Sequence, residues 1–307
     1  MRLIFPDATP FIAAFYDEEA RAILPDLIIE CGKPSPADLV QRLRGADAAM
    51  LFQTRIDDHI LSMCERLKAI VVLSTGVGSW IDVAAAARRN VVVRGVAGYG
   101  DRTVAEHALA LIFACARRIP EMDRAIRAGQ WKSAARFELA GKTLAVIGLG
   151  ATGKALARLG HALGLRVVGW NRSPVALDIP LELMPLDAAL QQAHIVSLHL
   201  ALNADTRGLL SAARLARMRP DAILINTARG ALVDTPALVE ALRAGRLAAA
   251  GLDVFTDEPL PVDHPLTGLD NAVLSAHAAW HSPEAGRRLL HRGLWQLADI
   301  LGTVKDR

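Results

Sequence analysis

The stretch Leu144-Ala-Val-Ile-Gly-Leu-Gly-Ala-Thr-Gly153 constrains the chain more than any other. A short apolar run ends in glycines at 148, 150 and 153, and a helical pattern through Ala155, Leu156, Leu159 and Leu163 follows at once. That succession is strand, tight turn, helix. The first glycine lets the backbone bend, the second lets a pyrophosphate approach the main chain, and the third lets helix and strand pack closely. The helix N-terminus then faces the phosphates with its free N–H groups. Gly148, Gly150, Ala151, Thr152 and Gly153 are therefore expected to hold a dinucleotide. Residues 148–154 also read GxxxxGK, nearly a mononucleotide P-loop. That loop needs Ser or Thr next to place a hydroxyl on Mg²⁺, and Ala155 stands there. The dinucleotide reading wins.

At 307 residues the chain has room for two domains. It is 52% hydrophobic and only 5% aromatic, rich in Ala, Leu and Val, as parallel strands buried on both faces require. The net charge of +3 is small and the Arg residues are scattered. Nucleic-acid binding would need a basic stripe, so no such partner is expected. Residues 108–116, the longest apolar stretch, are too few to span a bilayer. Asp7 and Asp17 interrupt any charged-then-apolar signal pattern. Cys31, Cys64 and Cys115 are odd in number and set among apolar residues, which reads as reduced core thiols, neither disulfides nor a metal site. A cytoplasmic protein with no membrane partner and no metal is expected.

Residues 1–98 alternate short β-type runs (2–5, 27–29, 48–52, 69–73, 91–93) with helical ones, the rhythm of a small parallel sheet with helices on both sides. From Asp101 to about Gln130 the pattern is helical without a break. It is more apolar than a surface helix should be, so it is expected to bury itself against the next domain or a second subunit. Residues 129–137 read as an irregular connection. A second βαβ series starts at Thr143, with strand candidates at 165–170, 195–200, 222–225, 248–252 and 272–275. One helix, 283–301, ends the chain and is expected to return to the first domain. The organisation that follows is α/β, with two doubly wound parallel-sheet domains. A cofactor domain (99–282) is inserted in a discontinuous substrate-binding domain (1–98 and 283–307).

In the NAD version of such a fold, an acid about 20 residues past the glycines accepts the ribose 2′-OH. Here the second strand ends in Asn171-Arg172-Ser173. The carboxylate, which would repel a 2′-phosphate, is missing. Arg172 is placed to pair with that phosphate, and Asn171 and Ser173 to hydrogen-bond it. NADP(H) is the expected cofactor, with NAD(H) a poorer one.

In open α/β sheets ligands bind beyond the carboxyl ends of the strands. Three successive strand candidates each deliver a reactive group there: Arg229 after 222–225, Glu258 after 248–252, and His277 after 272–275. Alone, each has a dull reading as an ion-pair partner, a turn residue or a core imidazole. A cation, a carboxylate and an imidazole together at a predicted nicotinamide edge point to chemistry. His107, inside an apolar helix, reads as structural.

From about Ser74 to Ala285 the chain resembles the D-2-hydroxyacid dehydrogenases. The likeness lies in Gly76-Val-Gly-Ser-Trp-Ile-Asp82, Val104-Ala-Glu-His107, the glycine turn, Ile225-Asn-Thr-Ala-Arg-Gly-Ala-Leu-Val-Asp234, Gly251-Leu-Asp-Val-Phe255 with Glu258-Pro259, and Ala276-His277. The first 70 residues match in rhythm, not motif. The resemblance implies a Rossmann cofactor domain inserted in a flavodoxin-like substrate domain. It implies that Arg229 holds the substrate's carboxylate and carbonyl oxygen, that His277 protonates that oxygen as hydride arrives, and that Glu258 hydrogen-bonds the other ring nitrogen. Thr227, Ala228, Asp253 and Ala279 would contact the cofactor together with His277. Main-chain groups of Val77 and Gly78 would meet the substrate carboxylate from the other domain across a closing cleft. A homodimer is likewise implied.

Three departures stand out. The acid after the second cofactor strand is absent, Leu200-Ala-Leu202 stands where the family often has Pro, and Ala278-Ala-Trp280 follows the histidine. A Trp there is similar to the glyoxylate/hydroxypyruvate reductase branch. The sequence thus favours an NADPH-preferring reductase of a small 2-oxo acid. A corepressor-like nucleotide-sensing protein of the same fold, and a phosphoglycerate or phosphite dehydrogenase, are the alternatives.

Overall fold

The computed structural model describes residues 1–303. The chain forms two compact units: one of Met1–Gly100 with 281–303, the other of Asp101–Trp280. The sequence reading places these boundaries at 98/99 and 282/283.

The first unit begins β1 (Leu3–Ala8), α1 (Pro10–Ala13), α2 (Glu18–Ile23), β2 (Leu27–Cys31), α3 (Pro36–Leu43), β3 (Ala48–Leu51), α4 (Asp58–Ser62), β4 (Ala69–Val72), α5 (Val83–Arg88) and β5 (Val92–Gly95). Its five strands are parallel in the order β2-β1-β3-β4-β5, the flavodoxin-like arrangement. Ile4, Ala49, Leu51, Ile70 and Val72 share one apolar core with Leu39, Leu43, Ile60, Ala85 and Ala86 from α3, α4 and α5.

β1 runs further than its apolar residues predict, through Pro6 and Asp7, with a register shift between Phe5 and Ala8. The carboxylate of Asp7 explains the extension, because it accepts the N–H groups of Phe52, Gln53 and Thr54 and so ties the strand end to the loop after β3. Cys31 lies exposed at the end of β2, unlike Cys64 and Cys115, which are buried. Cys31 is the last residue of β2, a strand that buries only Leu27 fully.

The second unit carries α6 (Asp101–Arg117), α7 (Ile119–Arg127), β6 (Thr143–Ile147), α8 (Ala151–Ala162), β7 (Arg166–Trp170), β8 (Glu182–Leu183), α9 (Leu186–Gln192), β9 (Ile195–Leu198), α10 (Ala212–Leu215), β10 (Ile223–Asn226), α11 (Thr235–Arg243), β11 (Ala249–Leu252) and β12 (Ala272–Leu274). The helix expected to run unbroken from Asp101 breaks at Arg118, which takes a left-handed φ of 52°. Pro120 is the cause: inside a helix it would lose a hydrogen bond and clash one turn back, but it is tolerated in the first turn of a new one.

All seven strands are parallel, ordered β12-β11-β10-β9-β6-β7-β8. This is the doubly wound dinucleotide-binding order, whose switch point falls between β6 and β9. Successive residues of a strand point to opposite faces. Ala145 and Ile147 of β6 accordingly join one core with α9 and α11, while Leu144 and Val146 join another with α6 and α8.

The chain ends in α12 (Pro283–Ile300), whose N-terminus is capped by the Ser282 hydroxyl. α12 packs on β3, β4 and β5 within the first unit, closing the sheet face opposite to α3, α4 and α5. Among the described residues no helix is long and apolar enough to cross a membrane.

Candidate active site

The glycine turn leaves β6 at the switch point. Gly148 has φ +97°, and a Cβ on it would stand 2.5 Å from the carbonyl oxygen of His199 at the end of β9. A Cβ on Gly153 would stand 2.0 Å from the Gly148 carbonyl oxygen, so α8 can start this close to β6 only without a side chain there. Gly150 meets nothing within 4 Å. It is exposed, as is Ala151, and it begins α8 with no side-chain cap. The first-turn N–H groups of α8 thus lack a side-chain acceptor, which suits a phosphate. The Thr152 hydroxyl is spent within the protein, donating to Asp101 Oδ1 at 3.1 Å.

Asn171 takes a different part from the one expected. Its Oδ1 accepts the Leu149 N–H at 3.0 Å and its amide donates to the Ser173 carbonyl at 2.8 Å, so the side chain braces the glycine turn instead of reaching for a ribose phosphate. Arg172 and Ser173 are exposed at the end of β7.

Arg229, Glu258 and His277 follow β10, β11 and β12, which are neighbours in the sheet. His277 Nδ1 lies 2.6 Å from Glu258 Oε2, and Glu258 Oε1 accepts the N–H of Phe255 at 2.9 Å. A carboxylate can only accept, so Nδ1 carries its proton and Nε2 is left to exchange one with a ligand. Burial pulls the Glu258 carboxyl upward. The hydrogen bonds from His277 and Phe255, with the charges of His277 and Arg229, outweigh that and hold it below the usual carboxylate range. The His277 side chain keeps 43% of its surface accessible and that of Glu258 34%. His277 takes a left-handed φ of 50°, a conformation that costs about 1–3 kcal/mol in a residue with a Cβ and gathers at functional sites. The Arg229 guanidinium is half-buried and donates to the Ala228 carbonyl at 2.6 Å.

Asp253, expected along the nicotinamide half of a cofactor, has no accessible surface. Its Oδ1 accepts the Ser275 hydroxyl at 2.6 Å and the Ala278 N–H at 2.9 Å, and its Oδ2 accepts the Ala279 N–H at 2.9 Å. It therefore holds the turn that carries His277, and Ala279 is buried with it. The Ala228 N–H is likewise used internally, by Asn226 Oδ1.

Thr227 is the opposite case. Its hydroxyl is buried with no hydrogen-bond partner, a costly state unless a ligand supplies one. That orphan hydroxyl, the open main chain at Gly150 and the uncapped start of α8 fit an extended dinucleotide. His199, after β9, is half-buried with its Nε2 2.9 Å from the Ser197 hydroxyl, and desolvation pushes its imidazole down to about 4, so it is neutral and structural. Val77 and Gly78 lie in a 3-10 turn after β4, in the other unit.

The Phe255 N–H on Glu258 and the Ser275 hydroxyl on Asp253 escaped the sequence reading. A main-chain donor leaves no sequence signal. Ser275, two residues before His277, does carry one, because residues two apart in an extended strand share a face.

Residues 109–279 match the family described as D-isomer specific 2-hydroxyacid dehydrogenase, NAD binding domain. A glyoxylate reductase of Aeropyrum pernix is 37% identical over 302 residues, covering 94% of this chain and 88% of that protein. The crystal structure of the TT0316 protein from Thermus thermophilus superposes with a TM-score of 0.88 at 36% identity, covering 99% of this chain and 98% of that one. An acyclic imino acid reductase in complex with NADPH and D-Arg superposes with a TM-score of 0.84 at 29% identity, covering 99% of this chain and 98% of that one. The parallel sheets, the glycine turn at the switch point and these matches lead to one conclusion: the chain belongs to the D-isomer-specific 2-hydroxyacid dehydrogenase family, nicotinamide-dependent enzymes of hydride transfer.

Proposed function

We propose that the protein reduces a small 2-oxo acid, glyoxylate or hydroxypyruvate, with NADPH preferred over NADH. The observation that carries the reading is the pair of His277 Nδ1 and Glu258 Oε2 at 2.6 Å, beside Arg229 on the neighbouring strand end. When bound, the reduced nicotinamide supplies the hydride. His277 donates the proton on Nε2 to the substrate's carbonyl oxygen and takes it back in the reverse direction. Glu258 keeps the ring oriented by accepting the hydrogen bond of the proton-bearing Nδ1. Arg229 grips the substrate carboxylate and carbonyl oxygen with a planar fork. Thr227 donates its unpartnered hydroxyl to the cofactor.

Cofactor preference rests on the end of β7, where Arg172 is exposed and the three side chains of Asn171-Arg172-Ser173 include no acid. The substrate size rests on Trp280, which follows the catalytic histidine by three residues, and on the curated relative named glyoxylate reductase. Phe113, Ile119, Ile126 and Trp131 are exposed along α6, α7 and the segment after them, Trp131 at 94%. These exposed apolar side chains suit cover by a second copy of the chain, and a homodimer is part of the proposal; so is a cytoplasmic location. The test is a steady-state screen of 2-oxo acids with NADPH and NADH. Turnover of glyoxylate or hydroxypyruvate, faster with NADPH, is the expected result; no turnover of any 2-oxo acid overturns the reading.

A further inference from the structure

We infer that His107 is a positioning residue for the reaction, acting on His277 through a chain of Ser275 and Asp253. The inference rests on the role proposed for His277.

The chain is built from hydrogen bonds whose directions follow from proton counting. Asp253 is fully buried and can only accept. Ser275 has one hydroxyl proton and lies 2.6 Å from Asp253 Oδ1, so that proton is spent there. His107 Nε2 lies 2.9 Å from the same hydroxyl oxygen, which now has only lone pairs to offer. His107 must therefore be the donor and carry its proton on Nε2. The same nitrogen is 3.5 Å from Asp253 Oδ1, so its N–H dipole also faces the buried carboxylate.

What the chain holds is the catalytic turn. Asp253 accepts the N–H of Ala278 on one oxygen and that of Ala279 on the other, and its main-chain carbonyl accepts the N–H of His277 at 2.8 Å. Three consecutive N–H groups, beginning at the residue with φ 50°, thus hang on Asp253. A left-handed histidine persists only where its surroundings over-determine it, and here one aspartate does so. Ser275 fixes the rotamer of that aspartate, and His107 fixes Ser275.

His107 comes from α6, which packs on β10, β11 and β12, so an element outside the catalytic strand ends sets the aim of the imidazole. Because the imidazole is aimed and not made, the effect belongs in kcat and not in cofactor affinity.

The experiment compares four proteins against wild type. His107→Phe keeps a flat ring and removes the donor. His107→Gln puts an amide N–H at the place of Nε2. Ser275→Ala cuts the chain one step on, and the double variant His107→Phe/Ser275→Ala tests coupling.

The expected results are a kcat lowered about tenfold in His107→Phe with cofactor KM within about twofold, recovery of kcat to within about threefold of wild type in His107→Gln, and a double variant no slower than the slower single one. Multiplying losses in the double variant, no recovery with Gln, or wild-type kcat in His107→Phe overturns the inference. An independent readout is ¹⁵N NMR of histidine-labelled protein, in which the signal lost in His107→Gln should report the Nε2–H tautomer; the Nδ1–H tautomer overturns the chain. If wild type itself turns over no 2-oxo acid, the proposed function falls while the tautomer result still stands on its own.

Discussion

Glu258 Oε2 lies 2.6 Å from His277 Nδ1, and the other Glu258 oxygen is tied to the Phe255 N–H, so the carboxylate cannot turn away from the imidazole it supports. His277→Gln should lower kcat by about 10²–10⁴-fold while the dissociation constant for the cofactor stays unchanged in a fluorescence titration.

Glu258→Gln separates the two roles of that pair. The Glu258 carboxyl is held below its ordinary value of 4.5. A lowered carboxyl contributes stability above the ordinary value and loses it as pH falls through the lowered one. The pair is therefore intact at neutral pH, and its loss is confined to pH below about 4.5. Replacing the carboxylate by an amide weakens the fixed acceptor that orients the His277 ring. The kcat should then fall by about 10²-fold, as misaimed groups do, with the cofactor dissociation constant unchanged; a wild-type kcat would separate Glu258 from proton transfer.

The glycine turn offers a contrast between two substitutions. A Cβ at 153 would stand 2.0 Å from a carbonyl oxygen that cannot yield, whereas one at 150 meets nothing within 4 Å. Gly153→Ala should destabilise the protein by about 3 kcal/mol, as forced overpacking does. Gly150→Ala should melt like wild type and bind cofactor less tightly, because it narrows the approach to the main chain. Thermal melts and cofactor titrations on both variants check this.

Arg172 is the test of cofactor preference. A hydrogen bond to a charged group is worth about 1.5–3 kcal/mol, so Arg172→Ala should cost about tenfold or more in kcat/KM with NADPH and little with NADH. Equal losses with both would make Arg172 indifferent to the 2′-phosphate.

His199 makes a prediction about stability. Burial holds its imidazole at about 4 against an ordinary 6.5. Below 6.5 the unfolded chain takes up a proton that the folded one refuses, so stability falls as pH drops from 6.5 to about 4. The full effect is on the order of 3 kcal/mol. Chemical denaturation between those limits should show this slope, and His199→Gln should flatten it.

The sequence carried the layers, the switch-point turn and the three reactive groups, because each is written in residue types at fixed spacings. Buried parallel strands are apolar runs, a close turn needs glycine, and a strand end presents whatever follows it. What escaped depends on direction or on main-chain atoms. The two-residue strand Glu182–Leu183 has no periodicity to detect. Asn171 and Asp253 have the right chemistry for a cofactor, yet their oxygens turn inward to Leu149, Ala278 and Ala279. His107 read as an ordinary buried helix residue because its partner Ser275 lies 168 positions away.

The second sheet also works as a ruler. Its order sets β9, β10, β11 and β12 on one side of β6, each step about 4.8 Å wide. The strands that lead into the glycine turn and into His277, β6 and β12, are thus four steps apart, roughly 19 Å by the same spacing. Loop residues can be exchanged to alter which cofactor or which acid is accepted without changing that distance. On the proposed reading, selectivity is a property of the turns, and reach a property of the strand count.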